Sequence, residues 1–191
     1  MNFPNSHLAL LVISSLCGSL WAETAKPTKF LNIDAAPVAI RTRNADAVFL
    51  HFNQVVSSLE GAGRKPLSIR IESSMNQLGL IANPEQADKL HFFQMALLGK
   101  LMAYPGEIHS ISILGVDGFD DSWIKTLLSR EDISFINLTD LDSVSSNAFS
   151  ELSIEDSNIH VVICRCKGIH EGTLQNFVPA KRLQMFQERA R

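Results

Sequence analysis

From residue 66 to residue 165 the chain alternates runs of period-two hydrophobicity with stretches of helical spacing, and this alternation limits its fold more than any other feature. PLSIRIES, residues 66–73, reads as a strand, and further strands are expected over 108–115, 133–138 and 159–165. Between them, Asn83-Pro84-Glu85-Gln86 is a strong helix start: an Asn cap, Pro at the first helical position and Gln placed to complete a capping box. That helix carries Leu90, Phe93, Leu97 and Leu101 on one face and ends before Pro105-Gly106. A helix over about 121–130 and a short one near 145–152 complete the alternation. The order predicts the α/β class, with helices layered on a sheet in an α+β sandwich.

Upstream, Asn44 caps a helix in which Val48, Phe49, Phe52, Val55, Val56 and Leu59 form one apolar stripe, ending at EGAGRKP. Residues 23–37 hold two prolines and no clear period and read as a tether, followed by a short strand, VAIRT. The first 22 residues contain no Asp, Glu, Lys or Arg, and the apolar run from Leu8 to Trp21 is too short to span a bilayer, which is the pattern of an export signal. It ends either after Ala22 or before Cys17, where LCGS resembles a bacterial lipoprotein junction that would place a lipid on Cys17. The expected organisation is a signal over 1–22, a tether and N-terminal helix over 23–65, a main domain over 66–178 and a basic amphipathic helix in the tail 179–191.

A formal net charge of −3 with interspersed signs gives no footprint for a nucleic acid. His160, Cys164, Cys166 and His170 are metal ligands by type, but on a strand they would spread over about 33 Å at about 3.3 Å per residue, whereas zinc gathers its ligands within about 2.3 Å. No metal and no cofactor is expected. No nucleophile elbow, zinc helix or paired nucleophile and base stands in the sequence, so the chain reads as non-catalytic.

EIHSISILGVDGFDD, residues 107–121, alternates like a strand and breaks into a glycine-punctuated turn with three aspartates. As structure, Asp117 ends the strand while Asp120 or Asp121 caps the following helix; as function, the turn is a candidate working site. A second pattern starts here, since Ile111, Ile113, Val116, Phe119, Ile124 and Leu127 recur as Ile136, Leu138, Leu141, Val144, Phe149 and Leu152 and again as Val161, Ile163, Cys166, Ile169, Leu174 and Phe177. The 25-residue period is that of a leucine-rich repeat, although Val116 and Leu141 occupy the position usually held by Asn or Cys and nothing upstream keeps the period. That reading requires the strands at 111, 136 and 161 to be parallel neighbours.

IRIESSMNQLGLIANPEQADKL, LLGKLMAYPGEIHSISILGVDG and SIEDSNIHVVICR together resemble the OmpA-like, peptidoglycan-associated domain family over about 100 residues. The resemblance implies a β-α-β-α-β-β mixed sheet with helices on one face and a last strand antiparallel to a neighbour. In that family an Asp after the second strand and an Arg about fifteen residues on hold a diaminopimelate group. The register places the Asp on Asp117 and the Arg on Asp132, with Arg130 two residues away. Asp117 and Arg130 are therefore the candidate ligand-binding residues, and peptidoglycan binding is expected to be weak. The resemblance implies a structural subunit of an outer-membrane-associated assembly in the periplasm of a Gram-negative bacterium, with envelope or secretion-system proteins as partners. A peptidoglycan-binding anchor and a leucine-rich-repeat-like interaction protein are the alternatives.

Overall fold

The computed structural model describes residues 29–73, 84–152 and 158–186, so Cys17, the Asn83 cap and the end of the tail lie outside the described residues. Six strands form one sheet: β1 (Lys29–Asp34), β2 (Leu67–Glu72), β3 (Ile108–Leu114), β4 (Phe135–Thr139), β5 (His160–Cys164) and β6 (Leu183–Phe186). Their spatial order is their chain order, and every neighbouring pair is parallel. The helices are α1 (Val38–Thr42), α2 (Ala45–Ala62), α3 (Pro84–Met102), α4 (Asp121–Leu128) and α5 (Glu171–Leu174), with 3-10 turns at Ser146–Phe149 and Ala180–Arg182. The α/β class read from the sequence is the one that forms.

Among the described residues the sheet is not mixed, and no strand runs antiparallel to its neighbour. Period-two hydrophobicity tells which face of a strand is buried and is silent on its direction. Connections of a dozen or more residues, such as the ones between these strands, allow each chain end to return and enter the sheet the same way round. Three local expectations also fail. Residues 29–34, read as part of a tether, form the edge strand β1, in which Ile33 is buried, as are Ala35 and Ala36 just after it. VAIRT is helix α1 rather than a strand. Leu183–Phe186 of the tail is strand β6 rather than helix, paired with Val161–Cys164.

From β3 onward the 25-residue spacing is physical. Ile111 pairs with Ile136 and Ile136 with Val161, as parallel stacking of units requires. The stacks Ile113, Leu138, Ile163 and Phe119, Val144, Ile169 are buried, as is Val116, Leu141, Cys166. Each strand turns out of the sheet through a left-handed residue at the same place in its unit: Gly115 (φ 55°), Asp140 (φ 55°) and Arg165 (φ 53°). The first two crossovers are longer, 38 residues from Leu31 to its partner Ile69 and 42 from Ile69 to Ile111, because each holds a full helix.

Helix ends follow their capping chemistry. Asn44 accepts from the Asp46 amide at 3.0 Å and starts α2. Asp120, not Asp121, caps α4, accepting from the amides of Ser122 at 3.0 Å and Trp123 at 3.2 Å. The apolar face of α3 buries Leu90, Phe93, Leu97 and Leu101 as its spacing requires.

Candidate functional site

Alternation along the strands sends Leu67, Ile69, Ile71, Ile111, Ile113, Ile136 and Leu138 into the core and leaves the opposite face of β2, β3 and β4 partly accessible, while Val162 and Cys164 of β5 are buried on that side as well. Parallel register lines that face up in rows. One row is Phe30, Ser68, Ser110, Phe135 and His160; the next is Asn32, Arg70, Ser112, Asn137, Val162 and Gln184. A third ends on Cys164 and Phe186. Small serines at Ser68, Ser110 and Ser112 keep the middle low, while Phe30 and Phe186 stand 59% and 44% exposed at the two edges. Arg70 donates from Nε to the Glu72 carboxylate at 3.0 Å, and the Thr139 hydroxyl donates to Asn137 Oδ1 at 3.2 Å, so the polar side chains of the face are partly ordered before any contact. The recess between Phe135, His160, Val162 and Gln184 has a volume of only about 10 Å³, room for about one water. A broad, shallow, polar surface with aromatic edges suits a macromolecular surface rather than an enclosed small molecule.

The units beneath this face are tied to one another by polar contacts at the repeat distance. Arg165 grips Asp140 through Nε and Nη2, at 2.6 and 2.5 Å. Lys167 reaches Asp142 at 2.8 Å, and the Ser145 amide and hydroxyl both donate to the Asp121 carboxylate at 2.6 Å. The His170 amide donates to the Ser146 hydroxyl at 2.9 Å. Asp121 thus joins two units instead of capping its own helix.

The glycine-punctuated turn is mostly structural. Val116 and Phe119 are buried, and the buried Gln94 side chain on α3 donates to the Asp117 carbonyl at 2.6 Å. The sequence gives no sign of this role for Gln94, because only packing of α3 against the turn creates it. The side chain of Asp117 is exposed. Arg130 is at the other end of the molecule's strands. It donates to the carbonyls of Leu101, Met102, Tyr104 and Gly106 and, through two nitrogens, to Asp132, whose Oδ2 also accepts from the Ile108 amide at 2.8 Å. Ile108 opens β3 and Asp117 follows its end, roughly 20 Å away at strand rise. Asp117 and Arg130 are not brought together, and the guanidinium is committed to the α3–β3 connection. Burial disfavours the charged form of Asp132, but hydrogen bonds from Arg130 and the Ile108 amide, with the charge of Arg130, outweigh it and hold the carboxyl below its ordinary range.

Among the described residues no group of three or more His, Cys, Asp or Glu side chains, those of His160, Cys164, Cys166 and His170 included, is placed to hold a metal ion. Both cysteines are buried free thiols. Burial pushes the Cys166 thiol up to about 11, and its Sγ lies 3.6 Å from the carbonyls of Leu138 and Cys164.

These features define a parallel α/β chain of stacked units with one open sheet face. Comparison with family models, curated proteins and solved structures finds no match for it.

Proposed function

We propose that this chain is a non-catalytic scaffold subunit of an envelope assembly, binding a partner protein on the open face of a sheet built in the manner of leucine-rich repeats. The observation that carries the reading is the 25-residue recurrence of Gly115, Asp140 and Arg165 at the same left-handed corner, with parallel strands in register between them. Units stacked in this way leave much of one strand face uncovered and present rows of chemically diverse side chains over many ångströms, an arrangement suited to contact with another protein. The charge-free, apolar N-terminus supports export, and Cys17 supports a lipid attachment to the outer membrane. Diaminopimelate-type peptidoglycan is bound weakly or not at all, since the only arginine near the expected position is spent on four carbonyls and Asp132.

The test places a photo-crosslinking side chain at Ser112 or Asn137 in the living cell, with a matched probe at Gln54 on α2. Adducts with one envelope protein from the two sheet positions, lost in Ser112→Arg with Asn137→Arg, support the reading. Adducts from Gln54 alone, or none at the sheet, overturn the assignment of the face. Labelling of the wild type but not of Cys17→Ser by a palmitate analogue checks the anchor, and strong co-sedimentation with isolated sacculi would return the function to cell-wall binding.

A further inference from the structure

Away from the open face, exposed apolar surface concentrates on the outer side of the two long helices. Phe49, Phe92 and Met95 are 55%, 56% and 47% exposed. Because α2 and α3 each return between parallel strands, they run in the same direction, and the Phe49 and Phe92 rings meet edge to face at 6.4 Å. Toward the C-terminal ends of the same helices the seam opens into a cleft of about 390 Å³ lined by Val56, Leu59, Ala103, Tyr104 and Pro105. A pair of aromatic knobs and an apolar hole therefore lie along one line, about eleven residues or 16 Å apart as measured on α3.

Charge follows the same line. Each helix carries an acid ahead of its phenylalanine, Asp46 and Asp88, and a cation lies at or just past its C-terminal end, Arg64 and Lys100. Among the described residues no salt bridge involves any of these four, while Lys89 and Glu85 neutralise each other at 2.5 Å. Glu60 also borders the cleft, against the two cations.

We propose that a second copy of this chain docks on this seam, with its α2–α3 pair antiparallel to the first about a two-fold axis that crosses the seam between the Phe49–Phe92 pair and the cleft. A two-fold axis midway between knob and hole places each copy's Phe49–Phe92 pair in the other's cleft and sets Asp46 and Asp88 against the partner copy's cationic ends. A parallel arrangement would oppose cation to cation and leave both clefts empty. The contact is about 27 Å long and two helices wide, on the order of 600 Å² per copy, enough for a specific dimer of modest affinity. The dimer leaves the open sheet face free and does not depend on the function assigned to it.

Sedimentation equilibrium of the full-length chain over low to high micromolar concentration tests the interface. The wild type is expected to show a reversible monomer–dimer equilibrium, weakened at least tenfold in Phe92→Asp with its thermal melting otherwise retained. Arg64→Glu with Lys100→Glu, and Asp46→Lys with Asp88→Lys, should each be monomeric alone and form a one-to-one heterodimer when mixed. A wild type that stays monomeric throughout, a dimer indifferent to Phe92→Asp, or charge-reversed chains that do not pair on mixing would each overturn the proposal.

Discussion

Arg130 and Asp132 hold each other by two parallel hydrogen bonds, Nε to Oδ1 at 2.9 Å and Nη2 to Oδ2 at 2.5 Å, and together they fasten the end of α3 to the start of β3. The Arg130 side chain is 12% exposed and Asp132 is 24% exposed, so solvent screens the pair little. Removing one member strands the other together with several backbone groups.

Arg130→Ala is expected to cost about 3 kcal/mol and Asp132→Ala somewhat less. Asp132→Arg should destabilise too, because it opposes two cations, and should bring no gain in sacculus binding. Because the folded carboxyl of Asp132 titrates below its ordinary 3.8, its contribution is complete above that pH and decays as pH falls through the lower folded value. Thermal melts from pH 6 down to 2 should show the wild type approaching Asp132→Asn.

The three aspartates of the turn at 117–121 should separate by role. Asp121→Ala loses a carboxylate that accepts twice from Ser145 and is expected to cost about 2 kcal/mol, with Asp121→Asn milder. Asp120→Ala removes the α4 cap at about 1 kcal/mol. Asp117→Ala, at an exposed side chain, should stay within about 0.5 kcal/mol, all three read by urea denaturation.

Gly168 marks where one unit touches the next. A Cβ there would lie 2.5 Å from the Val144 carbonyl oxygen, which belongs to a backbone bridge and cannot swing away. Gly168→Ala should lose about 1 to 3 kcal/mol, whereas Gly172→Ala, in α5 with nothing within 4 Å, should be neutral or gain a few tenths. Equal effects on the midpoint of denaturation would contradict the stacked arrangement.

Cys166 should be chemically quiet. With its thiol near 11 instead of 9.0, about one in a thousand is thiolate at pH 8, so alkylation in native buffer should be slow and become rapid in urea. Between pH 9 and 11 the unfolded chain loses this proton first, so the thiol's contribution to stability falls as pH rises. Fast labelling of native protein at pH 8 would show that the unit opens locally.

Much of the local structure was legible because its causes are local. Asn44 capping α2, Pro84 opening α3 and the alternation in LSIRIE and IHSISIL depend on residues within a few positions of one another. The buried stacks at a 25-residue spacing were legible as a period. The strand direction that makes it a ladder was not. VAIRT misled because its β-branched residues suit a strand while its single helical turn packs Ala39 and Ile40 into the core. KFLNID and LQMF became strands at the two sheet edges only because β2 and β5 offered them free backbone groups to pair with.

The sequence by itself determined where α2 and α3 start, which side chains are apolar enough to be buried and that the units share a length. Tertiary structure decided that every strand is parallel, that Arg130 turns inward to four carbonyls of the α3–β3 connection rather than toward Asp117, and that Asp121 reaches Ser145 of the next unit. The reason is distance along the chain. Hydrogen bonds between residues 24 to 29 positions apart exist only once the core has set the strands side by side, and no local preference of Arg or Asp selects such a partner in advance.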